Sequence, residues 1–284
     1  MLDLVLAVAA GGLIGLSLGA LGGGGSILAV PLLVYVLGQS PAQATTGSLV
    51  VVGVTALTGA ITACRAGNVL LARGATFGLV ATGGAALGAQ ASVLVSEAVL
   101  LASFAALMLV VAAIMAVRRV RAHRTTGDRA SDPDTGVRHT TRHLLDDPII
   151  TFSPTFACQC PRAVKVLITA TVVGLLTGFL GVGGGFLVVP ALLLALALPM
   201  EYAAGTSLVV ITLTSAAALA VRAGVGATPD WGLVLVLTGV SALGGFLGAR
   251  LADRIDTNRL STAFTVLVLA VAVYTAARAL PALV

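Results

Sequence analysis

Two glycine-rich runs are the residues whose type and spacing most clearly suggest chemistry in this sequence. They read GGGGS at 22–26 and GVGGG at 181–185, and each interrupts an apolar stretch. Glycine disfavours a helix by about 1 kcal/mol per residue, so each run should break a helix. The helix that restarts after the break presents free N–H groups with a partial positive charge, and glycine lets a ligand approach closely. The runs therefore predict an anion site built from Gly22, Gly24, Gly25, Ser26, Gly181, Gly183, Gly184 and Gly185.

Glycine also has a purely structural interpretation. Small-xxx-small patterns occur at 11/15/19 and 84/88 in the first half of the chain, and at 174/178 and 244/248 in the second. Such patterns let helix backbones pack closely, and we assign them no chemistry. The two glycine-rich runs could likewise serve only packing, or turns between short hairpins.

Hydroxyl side chains follow each glycine run and could supply further donors for an anion. One helix face of the first half carries Thr45, Ser48, Thr55, Thr58 and Thr62, and the second half offers Thr206, Ser207, Thr214 and Ser215. Ser48 and Ser207 are the strongest candidates for lining a hydrated path. The alternative is that these hydroxyls bond to a carbonyl of their own helix or to a neighbouring helix.

Two arginines form a further matched pair. Arg65 and Arg222 each begin an Arg-Ala-Gly triplet at the end of an apolar segment. A guanidinium can bind an oxyanion through two N–H groups. The alternative is that both side chains extend towards lipid phosphates at the membrane surface.

Acidic residues and histidines are missing from the middle of the apolar segments. Carboxylates lie only at segment ends, in Asp3, Glu97, Glu201 and Asp230, or outside the segments. We therefore expect no carboxylate relay or cation site in the membrane, no catalytic set and no cofactor. One polar loop collects Cys158, Cys160, His123, His139 and His143. Its C-x-C spacing differs from the C-x₂-C of zinc sites, so we expect no metal either.

The elements that must position these residues are membrane helices. The chain has 284 residues, of which 58% are hydrophobic and 10% charged, and its mean hydropathy is +1.09. Soluble domains carry roughly 25% charged residues, so a soluble globule of this composition would expose too much apolar surface. Long continuous apolar stretches also exclude an outer-membrane barrel, whose strands alternate over ~10 residues. The composition predicts an all-α, polytopic helical membrane protein.

The apolar segments divide the chain into three parts. They lie at 3–21, 26–38, 45–63, 75–96, 98–117, 166–181, 184–199, 204–221, 231–249 and 260–280. The intervening residues 118–165 contain nine Lys and Arg, five Asp and all three His, and are too polar to cross a bilayer. We expect a first membrane repeat at 1–117, a flexible loop at 118–165 and a second membrane repeat at 166–284.

The two membrane parts are similar to each other. A shift of 159 residues places 15–31 on 174–190 with ten of 17 positions identical, and places Ser48 on Ser207. Slightly different shifts align Arg65 with Arg222, and the glycines at 84 and 88 with those at 244 and 248. Four blocks in the same order indicate an internal duplication.

Five segments per half predict inverted repeats, because an odd number sends the second half into the membrane from the opposite side. With 118–165 in the cytoplasm, 14 Lys and Arg lie inside and two outside, as the positive-inside rule requires. Parallel repeats give 13 inside and three outside, so charge hardly discriminates. A single helix over 3–38 would span ~54 Å against a hydrocarbon core of ~30 Å, which favours a hairpin or two half-helices. We therefore expect inverted repeats with glycine-broken helices and both chain termini outside.

The paired GxxxGxLGxGGGxxxVP blocks resemble the two halves of the TauE/SafE-type permeases, the sulfite-exporter family. The resemblance extends over both membrane halves with their Ser-Leu and Arg-x-Gly elements, but not over 118–165. Val182 departs from the motif, and Ser26 stands where the second half has Gly185. The resemblance implies an anion transporter of the inner or plasma membrane, in a family linked to export of sulfite, sulfoacetate and related organosulfur anions.

These observations lead to the hypothesis of a secondary transporter that exports sulfite or an organosulfonate. A monoanion that leaves a cell negative inside gains ~2.3 kcal/mol per 100 mV, so export needs no coupling ion. The alternatives are an importer of a related anion, and a membrane sensor or regulatory subunit that works through the 118–165 loop. The expected partners are the small anion and the lipid bilayer, with a homodimer as an option and no nucleic acid.

Overall fold

The computed structural model describes residues 2–125, 160–196, 198–223 and 229–252, together with 266 and 270. These residues are almost entirely helical, and no strand occurs among them, which confirms the all-α prediction. The first half contains α1 (Leu2–Leu21), α2 (Ala29–Pro31), α3 (Pro41–Ala66), α4 (Leu71–Val93) and α5 (Glu97–Thr125). A 3-10 helix (Gly22–Leu28) precedes α2 and a π-helix (Leu32–Val36) follows it. The second half contains α6 (Cys160–Leu180), α7 (Gly185–Ala195), α8 (Met200–Arg222) and α9 (Trp231–Ala252).

Several of these helices have the length and composition of membrane spans. Three described stretches are long and apolar enough to cross a bilayer: Pro41–Ala66, Tyr202–Arg222 and Trp231–Leu251. Shorter apolar helices lie at Val5–Ala20, Gly25–Val36, Glu97–Val110 and Val164–Leu180. Large apolar side chains also cover the outside of the helices, as in Leu79 and Leu243, which are 67% and 70% exposed. Such an apolar exterior is suited to lipid and not to water.

Local sequence explains where α3 begins and ends, and where α9 begins. At the start of α3, the Ser40 and Gln43 side chains exchange hydrogen bonds with each other's backbone N–H, and Pro41 occupies the first turn. The helix ends at Gly67, whose φ of 79° is a left-handed conformation that suits glycine. At the start of α9, the Asp230 carboxylate accepts hydrogen bonds from the N–H groups of Gly232 and Leu233.

Two helix pairs pack through glycine, as the small-xxx-small patterns predicted. In the α1–α9 pair, a β-carbon on Gly15 would overlap the carbonyl oxygen of Ser241. In the α6–α4 pair, a β-carbon on Gly174 would overlap the carbonyl oxygen of Ala81. Gly15 and Gly174 are repeat counterparts, and Ser241 and Ala81 align with each other in the same way. The first helix of each half therefore packs against the helix of the fourth apolar segment in the other half.

The repeat-related helices α3 and α8 cross each other between these pairs. Gly59 lies against Leu208, Gly53 lies against Ser215, and Thr45 bonds to Arg222. Because the residue numbers rise along α3 as they fall along α8, the two helices run in opposite directions. Together with the glycine-rich runs they form the buried interior of the described part of the chain.

Within the polar region predicted at 118–165, the structure describes both ends, and both are helical. Helix α5 continues to Thr125 and α6 begins at Cys160, so helix extends into both ends of the predicted loop. The apolar segments mark where lipid-compatible residues stop, and a helix can continue past that point into water. Residues 126–159, with Cys158, His139 and His143, lie outside the described residues, as does almost all of the tenth segment at 260–280.

Candidate functional site

The two glycine-rich runs meet in the interior of the molecule. A β-carbon on Gly23 would overlap the carbonyl oxygen of Gly185, and a β-carbon on Gly185 would overlap the carbonyl oxygen of Gly23. The described members of both runs are buried. The structure thus brings together the two motifs that the sequence singled out, in a backbone contact that only glycine permits.

The second run has the conformation that the sequence predicted. Helix α6 ends at Leu180, and Gly181, Gly183 and Gly184 all have positive φ, between 65° and 67°. Helix α7 then restarts at Gly185 and continues for 11 residues. No side chain caps its start, because Gly184 stands at the N-cap position. The N–H of Leu187 already donates to the Gly184 carbonyl at 2.9 Å, so the N–H groups left for a ligand at this helix start are those of Gly185 and Phe186.

The first run differs, which corrects the expectation of two equivalent helix starts. Residues Gly22–Leu28 form a 3-10 helix that includes Gly24, and only Gly22 has positive φ in this run. Gly25 packs against the backbone of Leu18, and the Ser26 hydroxyl donates to the carbonyl of Gly23 at 2.8 Å. The α-helix that follows has only three residues. The 3-10 helix, α2 and the π-helix follow one another without a gap to Val36, so the first run also begins a helical segment. It differs from the second run because Ser26 is bonded within its own turn and the N–H of Gly23 is bonded to Ser207.

Ser48 and Ser207 each reach the glycine run of the opposite repeat. The Ser48 hydroxyl lies within hydrogen-bonding distance of the carbonyl oxygens of Thr45, at 2.9 Å, and Gly181, and its one proton can serve only one of them. The Ser207 hydroxyl accepts from the N–H of Gly23 at 3.3 Å and donates to the carbonyl of Ala204 at 2.7 Å. Both serines are buried and hold the run of the other half in place.

Most other hydroxyls of the predicted stripe follow the structural alternative. Thr55, Thr58 and Thr62 each donate to a carbonyl three or four residues earlier in α3. In the second half, Thr214 donates within α8, and Thr206 accepts from the N–H of Leu70. The hydrogen bonds of these hydroxyls are therefore made within the protein, as is common for Ser and Thr in apolar helices.

Arg222 lies inside the protein and not at a lipid surface. Its side chain is 5% exposed and bonds to four neutral oxygen atoms. Nη1 donates to the Thr45 hydroxyl at 2.7 Å. Nη2 lies within hydrogen-bonding distance of the Ser92 hydroxyl at 2.7 Å and of the carbonyls of Gly178 and Phe179 at 3.1 and 3.3 Å. The guanidinium thus caps the end of α6 just before the second glycine run, so the lipid-facing interpretation does not apply to this arginine.

Arg65 has different surroundings, which corrects its predicted equivalence with Arg222. It is exposed in the last turn of α3. Arg65 follows Ser48 by two residues more than Arg222 follows Ser207, and both stretches are uninterrupted helix. Two residues turn a helical side chain by about 200°, to the opposite face. By the shift that superposes the serines, the counterpart of Arg222 is Ala63.

Ser215 is a functional candidate that the sequence pattern did not distinguish from several other hydroxyls. It is 1% exposed, and its Oγ has no hydrogen-bond partner among the described residues. The Oγ lies 3.2 Å from the position that a β-carbon on Gly183 would occupy. A signal for it was present in the sequence: Ser215 precedes Arg222 by seven residues, which is two helical turns and places both on one face of α8.

Acidic side chains contribute nothing to this interior in the part of the chain that the structure describes. The buried polar and charged residues there are Ser, Thr, Gln and Arg, without Asp or Glu. Among the described residues, no three His, Cys, Asp or Glu side chains are grouped so that they could hold a metal ion. The chemical character of the site is therefore that of hydroxyls, backbone N–H groups and one guanidinium, all of which can donate to an anion.

Comparison with known proteins identifies relatives that are membrane transporters by name. Residues 7–275 match the family described as Sulfite exporter TauE/SafE. A "Probable membrane transporter protein" of Xylella fastidiosa strain 9a5c is 34% identical over 275 residues, which cover 96% of this chain and 94% of the relative. A protein of the same description from Xylella fastidiosa strain Temecula1 is 33% identical over 282 residues, with the same coverage of both chains. No solved structure matches the chain significantly. The chain belongs to the TauE/SafE sulfite exporter family of membrane transporters.

Proposed function

We propose that this protein is a secondary transporter that exports a small sulfur oxyanion, sulfite or an organosulfonate, across the plasma membrane. Family membership supports a membrane transporter. The observation that supports an anion as the substrate is the buried guanidinium of Arg222, whose four partners are all neutral oxygen atoms.

A buried cation without a counter-ion is costly, because it loses its hydration and gains no charge pairing. Arg222 is buried, and its Nε has no hydrogen-bond partner among the described residues. The carbonyls at the end of α6 offset part of this cost through the negative end of the helix dipole. A transported anion would supply the missing negative charge, and ionisable groups inside membrane helices commonly mark substrate paths.

The opposite directions of α3 and α8 support inverted repeats. Helices related by a two-fold axis in the membrane plane must be antiparallel, whereas an axis along the membrane normal keeps them parallel. We infer that the 118–165 region lies in the cytoplasm, because this placement keeps most of the Lys and Arg inside.

Transport would require the two halves to move relative to each other. The backbones of Gly23 and Gly185 touch, and the serines that hold them come from the opposite repeats. Such a closed interior corresponds to an occluded state, and rocking one half against the other would open it to one side at a time.

Flux measurements on the purified protein in liposomes test this function. We expect saturable movement of radiolabelled sulfite or methanesulfonate out of a compartment that is made negative with a potassium gradient and valinomycin. Reversing the potential should reverse the net flux of an uncoupled exporter. Flux that persists against the potential would indicate a coupled importer, and absence of flux for every anion tried would contradict the transporter. If flux is present and survives deletion of 126–159, the loop is not the working part of a sensor.

A further inference from the structure

We propose that Ser215 is a direct ligand of the transported anion and that it acts with the first N–H groups of α7, so that the binding site belongs to the second repeat alone. This inference rests on the proposed function and specifies where and how its substrate binds. It also assigns the site a ligand class, an oxyanion with a single negative charge.

Ser215 is exceptional among the hydroxyls of its own helix. Thr212 and Thr214 both donate to carbonyls of the preceding turn, but the Ser215 hydroxyl bonds to none. A buried hydroxyl that has lost water and gained no partner is destabilising. An exposed surface does not relieve this cost, since Ser215 is 1% exposed. A ligand that accepts its hydrogen bond would relieve it.

The unpartnered hydroxyl lies beside the glycine turn that precedes the uncapped start of α7. Its Oγ lies 3.2 Å from the β-carbon position of Gly183, two residues before α7 begins. Gly183 and Gly184 have positive φ, so the chain turns sharply here and presents successive N–H groups. A hydroxyl donor thus lies close to the positive end of an 11-residue helix.

The first repeat has no equivalent of this arrangement. The repeat shift of 159 residues places Ala56 opposite Ser215, so the hydroxyl is missing from α3. The first glycine run begins a helical segment that continues to Val36, but the N–H of Gly23 at its start is already bonded to Ser207. The duplication has therefore produced one anion site and one closed structural copy.

Arg222 and Ser215 together define a path towards this site. They lie on one face of α8, two turns apart, which separates their backbones by about 10 Å. Arg222 stands at the end of α8, whereas Ser215 packs against Gly53 near the midpoint of α3. We assign the guanidinium to a first binding position at the end of α8 and the hydroxyl to an inner position near the midpoint of α3. On the same face beyond Ser215, the apolar Ile211 and Leu208 are buried and close the path.

The donors at the inner position determine the charge of the ligand. The groups that converge there are a hydroxyl and backbone N–H groups, and the one buried arginine of the described residues is two turns away. The desolvation cost of an ion grows with the square of its charge, and partial charges compensate a single charge far better than two. Hydrogensulfite and sulfonates fit this site, and dianions such as sulfate do not.

The test compares Ser215→Ala with Ser241→Ala, measured with methanesulfonate in liposomes and by thermal unfolding in detergent. Ser241 is also fully buried, but its hydroxyl donates to the carbonyl of Gly11 at 2.9 Å and lies away from the glycine runs. We expect Ser215→Ala to raise the half-saturation concentration about tenfold or more, without lowering the melting temperature of the anion-free protein. We expect Ser241→Ala to lower the melting temperature and leave half-saturation unchanged. Unlabelled sulfate should inhibit methanesulfonate flux at least about tenfold less effectively than unlabelled ethanesulfonate.

The outcomes separate this inference from the transporter itself. Saturable flux in the wild-type protein supports the proposed function, whatever Ser215→Ala does. Unchanged half-saturation in Ser215→Ala, or a melting temperature that falls as far as in Ser241→Ala, would overturn the role of Ser215. Inhibition by sulfate equal to that by ethanesulfonate would overturn the single-charge assignment.

Discussion

A single guanidinium in the interior links four helices at the point where the second glycine run begins. Arg222 reaches Thr45 on α3, Ser92 on α4 and the carbonyls of Gly178 and Phe179 on α6. The planar fork of arginine suits this set, because it directs several N–H groups at once. The same fork could exchange some of these neutral oxygen atoms for those of an oxyanion.

We predict that Arg222→Lys and Arg65→Lys have different consequences for transport. A compact ammonium cannot copy the guanidinium fork, so Arg222→Lys should raise the half-saturation concentration by about tenfold for each ~1.4 kcal/mol of lost interaction. Arg65 is exposed at a helix end, where lysine serves almost as well. The measurement is the concentration dependence of methanesulfonate flux in each variant, reconstituted at equal amounts. Equal half-saturation in both variants and in the wild type would remove Arg222 from the substrate path.

At the scale of secondary-structure elements, the break between α6 and α7 is made by glycines with positive φ. Gly183 has a φ of 67°, and a β-carbon there would overlap the side chain of Val52 and lie 3.2 Å from Ser215 Oγ. Gly38 has a φ of 64°, but no atom lies within 4 Å of its β-carbon position. The two glycines thus share the same backbone requirement and differ in what surrounds them.

We predict that Gly183→Ala abolishes flux and that Gly38→Ala retains it. Both variants bear the cost of a left-handed conformation, roughly 1–2 kcal/mol for a residue other than glycine. Only at Gly183 does the added methyl group also displace the side chain of Val52 and crowd the Ser215 hydroxyl. Flux and the amount of folded protein are measured together for both variants. Normal flux in Gly183→Ala would show that the run is a packing feature.

Glycine spacing also controls how α1 packs against α9. A β-carbon on Gly15 would overlap the backbone of α9, whereas none of the atoms around Gly12 lies within 4 Å of its β-carbon position. We predict that Gly15→Ala lowers stability by about 1–3 kcal/mol, through overpacking. Gly12→Ala should raise it by about 0.5–1 kcal/mol, through helix propensity. Thermal unfolding in detergent checks both, and equal shifts would contradict the close α1–α9 contact.

At the scale of the whole molecule, the two halves interlock and do not stand side by side. α1 packs on α9 and α6 on α4, and each central serine holds the glycine run of the other half. This exchange makes the internal duplication a single folding unit. It also places the candidate site at the junction of the halves, where a relative movement has its largest effect on access.

We predict that Asp3 and Val284 lie on the outside of the cell and that 126–159 lies inside. An inverted arrangement with five elements per half requires this topology, and the positive-inside rule orients it. The measurement is labelling of cysteines introduced at these places with a reagent that does not cross the membrane, in a background without the three native cysteines. Protection of either terminus in intact cells, followed by labelling after lysis, would contradict the inverted arrangement.

The sequence was sufficient for the properties that depend on local composition and on repetition. Apolar segment length predicted membrane helices, glycine content predicted the break at 181–185, and small-xxx-small spacing predicted close helix packing, although not which helices form the pairs. These properties follow from the intrinsic preferences of each residue and its near neighbours, which the sequence states directly. The duplication itself is visible because the same preferences recur in the same order.

Only the tertiary structure decided which of the duplicated residues have equivalent surroundings. Arg65 and Arg222 share a triplet, but a two-residue difference in spacing turns one outward and the other inward. The two glycine runs share a motif, but Ser207 bonds to the N–H of Gly23 at the start of the first helical segment, whereas no side chain caps the start of α7. In the sequence Ser215 does not differ from the other hydroxyls, and only the structure shows that its Oγ has no hydrogen-bond partner among the described residues. Each of these differences depends on helix rotation and on contacts between residues far apart in the chain, and local preferences do not encode either one.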